Sequence, residues 1–278
     1  MFIRIGYDIQ FDVPAPIPMM MLLRVHPSVE PALVRPEALA VEPAVAVTDF
    51  TDGFGNRSRR ILAPAGVLRL TNDAVVEVDG LADPAAPDAQ EIPIQELPTE
   101  VMPFLLASRY CEVDRLSDIA WNLFGNTPRG WGRVQAIVDW VHNHITFGYQ
   151  YARWTKTAYD AYIEQQGVCR DFTHLAVAFC RCMNIPARYV TGYLGDIGVP
   201  ISPDPMDFSA WFEVYLGGRW HTFDARHNRR RIGRLLMAKG RDAVDVAITT
   251  SFGPSTLKKF VVWTDEVTDA SGETKVHP

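Results

Sequence analysis

Cysteine is scarce in this sequence. Four thiols, Cys111, Cys169, Cys180 and Cys182, are spread through 278 residues, too few for a disulfide framework to hold up a chain of this length. Cys180 and Cys182 stand two apart on a helical pattern, so they point to different faces and cannot bridge each other there. Reduced thiols and a cytoplasmic location are therefore expected. Positive charge is also in short supply: 27 Lys and Arg against 33 Asp and Glu leave a net charge of -6. That balance argues against a nucleic-acid partner or an acidic membrane surface. Long apolar runs are missing. The stretch from Pro16 to Val25 is far too short to span a bilayer. Met1-Phe2-Ile3-Arg4 lacks the basic lead and apolar run of a secretory signal. Gly192, Gly195 and Gly198 miss the spacing of a phosphate-cradling loop, and there is no Walker lysine. No acidic loop of the calcium-binding kind, no repeat and no low-complexity tract appears. No metal or organic cofactor is expected.

What is present reads as a folded protein, 47% hydrophobic and 22% charged. Ile3, Ile5, Tyr7, Ile9 and Phe11 alternate with polar residues and predict a half-buried strand. Pro14, Pro16 and Pro18 break it, and the run Met19 to Val25 is expected to return antiparallel to it. Further strand patterns at 45–50, 58–62 and 74–78, with no helical period, make residues 1–80 a small β-sandwich-like domain. Residues 81–103, punctuated by Pro84, Pro87, Pro93, Pro98 and Pro103, read as a semi-rigid surface linker. Helical periodicity follows in stripes around Leu116–Leu123, Trp131–Val141, Thr157–Gln165 and from Cys169. Strands return after Pro186, at 187–193, 208–216, 219–224, 243–249 and 259–264. The order predicts an α+β domain over 104–278, with helices packed to one side of an antiparallel sheet. The basic run Arg226–Arg234 reads as a solvated loop.

The chemistry concentrates at Gln166-Gly167-Val168-Cys169-Arg170-Asp171-Phe172. Cys169 opens a helix, where unpaired backbone N–H groups and the macrodipole favour an anion. A thiol there tends toward a lowered pKa and is a nucleophile candidate, against the plainer reading of a core cysteine. A nucleophile needs a base and a group to orient the base. Gly217-Gly218 reads as a two-residue hairpin turn that makes paired residue numbers sum to 435. In that register Ser209, Trp211, Asp224 and Arg226 share one face. Asp224 is either a buried orienting carboxylate or a loop cap paired with Arg226. His142 and His144 are two apart at a helix end and face different sides, which argues against a shared metal.

Four blocks resemble the bacterial transglutaminase-like superfamily: Gly167-Val168-Cys169-Arg170-Asp171-Phe172, Asn184 to Tyr193, Ala210-Trp211-Phe212-Glu213-Val214-Tyr215, and Trp220-His221-Thr222-Phe223-Asp224. The resemblance covers roughly Leu105 to Val267. It implies a papain-like core preceded by the β domain, and a cysteine peptidase, amidase or acyltransferase acting on peptide or isopeptide amides through a thioester. Carried over, Cys169 is the nucleophile and Asp224 the orienting acid, with a peptide or protein as partner. Trp154 and Gln165 are the upstream side chains considered for the oxyanion.

One position departs from the family. Ser209 stands where the family carries its base histidine, and a hydroxyl cannot replace imidazole as a neutral-pH base. His221 faces the other way along its strand, His174 lies about 140° round the helix from Cys169, and His227 reaches the site only if the loop after Asp224 bends back. Three readings stay open: an active enzyme with a displaced histidine or a helix-stabilised thiolate, a degenerate enzyme that binds peptide or protein, and a structural domain.

Overall fold

In the computed structural model, which describes residues 1–272, the alternating stretch at the start of the chain is strand β1 (Phe2–Val13). Its inward side chains Ile3, Ile5, Tyr7 and Ile9 are buried, as period-two patterning requires. The next strand, β2 (Ile17–Met21), does not return along β1. It pairs with β6 (Arg57–Ala63) in a facing sheet. Pro14 and Pro16 restrict the connection and deny it backbone donors, so the chain crosses to the other layer instead of closing a tight hairpin.

The first sheet places β1 beside β7 (Gly66–Glu77), whose far edge carries the short strands β3 (Leu33–Arg35) and β4 (Ala40–Glu42). The second holds β5 (Thr48–Thr51), β6 and β2. Ile5, Ile9, Met19, Met21, Ile61 and Leu70 fill the space between them. Residues 81–103 are tied down along their course. Ala82 bridges Ile232, and Glu91 takes Arg129 at 2.9 Å and Arg133 at 3.2 Å.

Four helices follow: α1 (Val113–Phe124), α2 (Trp131–His144), α3 (Ala158–Glu164) and α4 (Cys169–Cys182). The two-residue strands β8 (Thr146–Phe147) and β9 (Gln166–Gly167) pair in parallel and hold the approach to α4. The third sheet has the order β12 (Arg219–Phe223), β11 (Ser209–Leu216), β10 (Ala187–Tyr193), β13 (Leu235–Gly240). Phe172, Ala176, Phe179 and Cys180 of α4 share a core with Phe212, Val214 and Leu216 of β11. Tyr193, Phe208, Leu235 and Met237 join the core of the β-sandwich instead. This is an α+β fold, with helices packed on an antiparallel sheet as the order of elements predicts.

Besides β2, two placements differ from the sequence reading. The strand expected over 243–249 is absent from that stretch up to Ile248. Asp245 Oδ2 accepts the Arg241 N–H at 2.8 Å and Asp242 Oδ1 accepts that of Val244 at 2.9 Å, closing a turn there. The strand lies earlier, at β13. The last strands, β14 (Thr249–Ser251) and β15 (Thr256–Val267), leave the helical core altogether. β14 pairs with β2, and β15 runs the length of β1 on the edge that β7 leaves open. The sandwich is thus built from the early strands together with β14 and β15. Among the described residues no helix is long and apolar enough to cross a membrane.

Candidate active site

Local chemistry puts Cys169 at the mouth of α4. Gln165 ends α3 in a left-handed conformation, φ 54°, and Val168 is extended ahead of α4. Asp171 Oδ2 accepts the Val168 N–H at 2.9 Å, and the Thr173 hydroxyl donates to the Cys169 carbonyl at 2.9 Å. Cys169 is half-buried, whereas Cys111, Cys180 and Cys182 are buried. It opens on a cleft of about 780 Å³ whose wall includes Tyr149, Ser209, Arg226 and His227.

The helix end does not leave this thiol ionised at neutral pH. Burial pushes it up to about 11, and Asp207 acts in the same direction; Arg226 and the Ala210 N–H oppose them without prevailing. Desolvation is the largest of these influences. Tyr149 is near enough for its phenol to be raised in part by Cys169, after burial.

The hairpin forms in the expected register, with Leu216 opposite Arg219 and Phe212 opposite Phe223. Gly217 and Gly218 have φ of 55° and 86°, the left-handed pair that a type I′ turn requires. β12 ends at Phe223 and delivers Asp224 into the interior, where its side chain is 2% exposed. The chain then bends back. The Asn228 N–H donates to the Asp224 carbonyl at 2.9 Å, and the His227 N–H donates to Asp224 Oδ1 at 3.0 Å. This turn brings His227 Nδ1 to 2.8 Å from Asp224 Oδ2. An ionised carboxylate only accepts, so Nδ1 carries the hydrogen in this contact and Nε2 is the nitrogen left for other work. Burial works against charge on Asp224, but Arg234 and His227 outweigh it and hold the carboxyl far below the usual carboxylate range.

Arg234 belongs to this arrangement although the sequence reading left it in a solvated run. Its side chain is 5% exposed and bridges Asp224 Oδ2 at 2.8 Å and Asp83 Oδ2 at 2.7 Å. Arg231 is buried too, donating to the Gly195 carbonyl at 2.8 Å. A hint lay in the composition around them: Ile232, Leu235 and Met237 are interleaved with the arginines, which a solvated loop does not need. Arg226 is not the partner of Asp224; its guanidinium lies 3.8 Å over the Phe147 ring.

Ser209 opens β11 opposite Gly192. It is 6% exposed, and its Oγ finds no hydrogen-bond partner among the described residues. Four other histidines are occupied elsewhere. His174 Nε2 accepts the Ala243 N–H at 3.2 Å, and its ring stacks on Tyr110. His221 contacts the Leu216 carbonyl, His142 that of Ala225 and His144 that of Tyr162. Trp154 is 74% exposed, and neither it nor Gln165 lines the cleft. Tyr149 lines it instead, a residue the sequence reading passed over. Among the described residues no group of three or more His, Cys, Asp or Glu is gathered to hold a metal.

Against known proteins, residues 119–225 match the model of the Transglutaminase-like superfamily. A crystal structure of a candidate cysteine protease from Cytophaga hutchinsonii is similar over nearly the whole chain. The TM-score is 0.85 and the identity 30%, covering 97% of this chain and 91% of that one. An uncharacterized protein of Mycobacterium leprae (strain TN) is 28% identical over 197 residues, 66% of this chain and 67% of the relative.

Proposed function

Because the chain belongs to the transglutaminase-like superfamily, we propose that it is a cysteine hydrolase or acyltransferase of peptide or isopeptide amides, with Cys169 as nucleophile and His227 as base. The observation that carries this reading is the 2.8 Å contact between His227 Nδ1 and Asp224 Oδ2 at the wall of the cleft that holds the thiol. The base expected at position 209 is supplied three residues after the acid that orients it.

In this scheme Asp224 fixes the imidazole through Nδ1–H, leaving Nε2 to take the Cys169 proton. The sulfur attacks the amide carbon, and the C–N bond breaks as His227 returns the proton to the leaving amine. A thioester remains on Cys169. Water or a second amine, deprotonated by the same imidazole, then attacks the thioester and releases the thiol. The Cys169 backbone N–H and the Tyr149 phenol are the donors assigned to the oxyanion, in place of Trp154 and Gln165. Because the resting thiol is neutral, its proton leaves during attack, which makes the base necessary from the first step.

The raised thiol also favours a second reading, a domain that keeps the cleft to bind peptide or protein without cutting it. One experiment separates the two. Incubation with an activated ester such as p-nitrophenyl acetate, followed by intact-mass measurement, should show one acetyl group on Cys169 that is lost on standing. Wild-type protein that never acylates, or that acylates equally well as His227→Ala, would sink the enzymatic reading.

A further inference from the structure

Arg226 stands two residues past Asp224 and one before His227, half-buried in the wall of the Cys169 cleft. Its guanidinium lies 3.8 Å over the Phe147 ring, and that ring meets Tyr149 edge-on at 5.3 Å. Phe147 belongs to β8 and pairs with Gly167, two residues ahead of Cys169. The arginine is therefore docked on the same strand pair that leads into the nucleophile helix. An aromatic ring beneath a guanidinium fixes its plane and leaves its edge of N–H donors open. Among the described residues Arg226 donates no hydrogen bond and forms no ion pair. Its neighbours in the basic run differ: Arg231 donates to Gly195, and Arg234 to Asp83 and Asp224.

A fixed cation with no contact partner, set in a cleft, calls for an anion. Two are available: a carboxylate brought by the substrate, or charge that the reaction itself creates. The first is disfavoured, since Asp204 and Asp207 line the same cleft and would repel it. The second fits the placement. Arg226 acts on both groups that the proposed chemistry charges or polarises, drawing down the Cys169 thiol and the Tyr149 phenol. Burial, Asp207 and Asp224 oppose it at the sulfur, and the resting thiol stays neutral. Positive charge that fails to ionise a group at rest still stabilises the anion once it forms.

We infer that Arg226 supplies the positive charge that meets the sulfur anion as the proton leaves Cys169, and the oxyanion that follows it. The inference rests on the thiol chemistry proposed above. The proton passes to His227 Nε2. The electron pair left on sulfur forms the bond to the carbonyl carbon, and the C=O π pair moves to oxygen. Arg226 exchanges no proton and forms no bond. It holds a charge fixed where negative charge appears, a change that Asp207 otherwise resists.

Two uncharged reagents read this role at Cys169 by mass spectrometry. Acylation by p-nitrophenyl acetate should be at least about tenfold slower in Arg226→Met, short of the roughly 10²–10³-fold cost of losing a direct oxyanion donor. Alkylation by iodoacetamide near about pH 8 should slow by about threefold for each unit the thiol rises, the more basic sulfur being also the better nucleophile. Arg226→Gln should match Arg226→Met, and either suffices if the other fails to fold. Arg226→Lys should recover much of both losses, because charge and not packing is the cause. Uncharged variants that acylate and alkylate like wild type overturn the inference and leave the thiol reading standing. A loss confined to an anionic ester, mono-4-nitrophenyl succinate, would make Arg226 a receptor for a substrate carboxylate and overturn it equally. Wild type that never acylates removes the enzymatic reading and this inference with it.

Discussion

Arg234 and His227 share one oxygen atom, Asp224 Oδ2, and each stands 2.8 Å from it. The arginine keeps the carboxylate ionised and the imidazole uses it as an anchor. Asp83, on the far side of Arg234, balances the second half of the guanidinium charge. Asp224 is thus held, through Arg234, from a segment that the sequence reads as a mere linker.

Replacing the base should separate chemistry from folding. His227→Ala is expected to lower the rate of Cys169 acylation by about 10²–10⁴-fold. Its melting temperature should fall only modestly, because Arg234 still holds the Asp224 carboxylate and the His227 backbone N–H still reaches Oδ1. Cys169→Ala should abolish acylation altogether. Equal acylation rates for wild type and His227→Ala would remove the histidine from the mechanism.

Restoring the family's histidine at position 209 should not help by itself. Both Asp224 oxygens are engaged, Oδ1 by the His227 N–H and Oδ2 by His227 and Arg234. Ser209→His adds a second imidazole with no carboxylate free to orient it, and activity should stay level or fall. The double variant Ser209→His/His227→Ala should recover at least part of what His227→Ala loses. A gain from Ser209→His alone would show that position 227 is not the working base.

The pH dependence of alkylation follows from the raised thiol. With the folded value near 11, reaction with neutral iodoacetamide should rise about tenfold per pH unit from 7 to 9, because the thiolate fraction does so. No plateau is expected in that range. A plateau below pH 8 would mean a resting thiolate and a different electrostatic account of the cleft.

All four thiols lie above the ordinary 9.0 in the folded state, because burial disfavours their charge. Their contribution to stability is fully present below the unfolded thiol value of about 8.5 and is lost as pH rises through the folded values. Chemical denaturation midpoints should therefore hold steady up to about pH 8 and decline from pH 9 upward. Alanine at Cys180, the most strongly shifted of the four, should flatten part of that decline.

Arg234→Met should cost about 3–5 kcal/mol, since it strands two carboxylates whose side chains are 2% and 13% exposed. Arg234→Met combined with Asp83→Asn should recover part of that loss, and denaturant titrations of the three proteins would show it. A single variant as stable as wild type would mean that the bridge contributes nothing.

The local features were legible. Cys169 at the start of α4 follows from helical spacing, and the β11–β12 register follows from Gly217-Gly218. Both depend on contacts within a few residues. The site's second half was not legible in the same way. His227 meets Asp224 because residues 225–227 form a turn, closed by the Asn228 N–H on the Asp224 carbonyl, and Asn228 itself adopts a left-handed φ of 47°. Asparagine tolerates that conformation, but nothing nearby demands it. Arg234 was hidden by charge, since a guanidinium satisfied by the buried Asp224 and the half-buried Asp83 looks in sequence like one satisfied by water. β2 and the last two strands were misplaced because alternation tells which face a strand buries and not which partner it chooses.

β1 and β15 are antiparallel neighbours along nearly their whole length, with Phe2 opposite Val267. During synthesis, then, β1 is made long before its partner β15. Until Thr256 and its successors emerge, β1 presents a bare edge, and pairing over so great a separation in sequence is slow to find. A fragment ending before β15 should accordingly be prone to aggregate, and removing β15 would disturb the candidate site, to whose lining it contributes Thr264, Asp265 and Glu266.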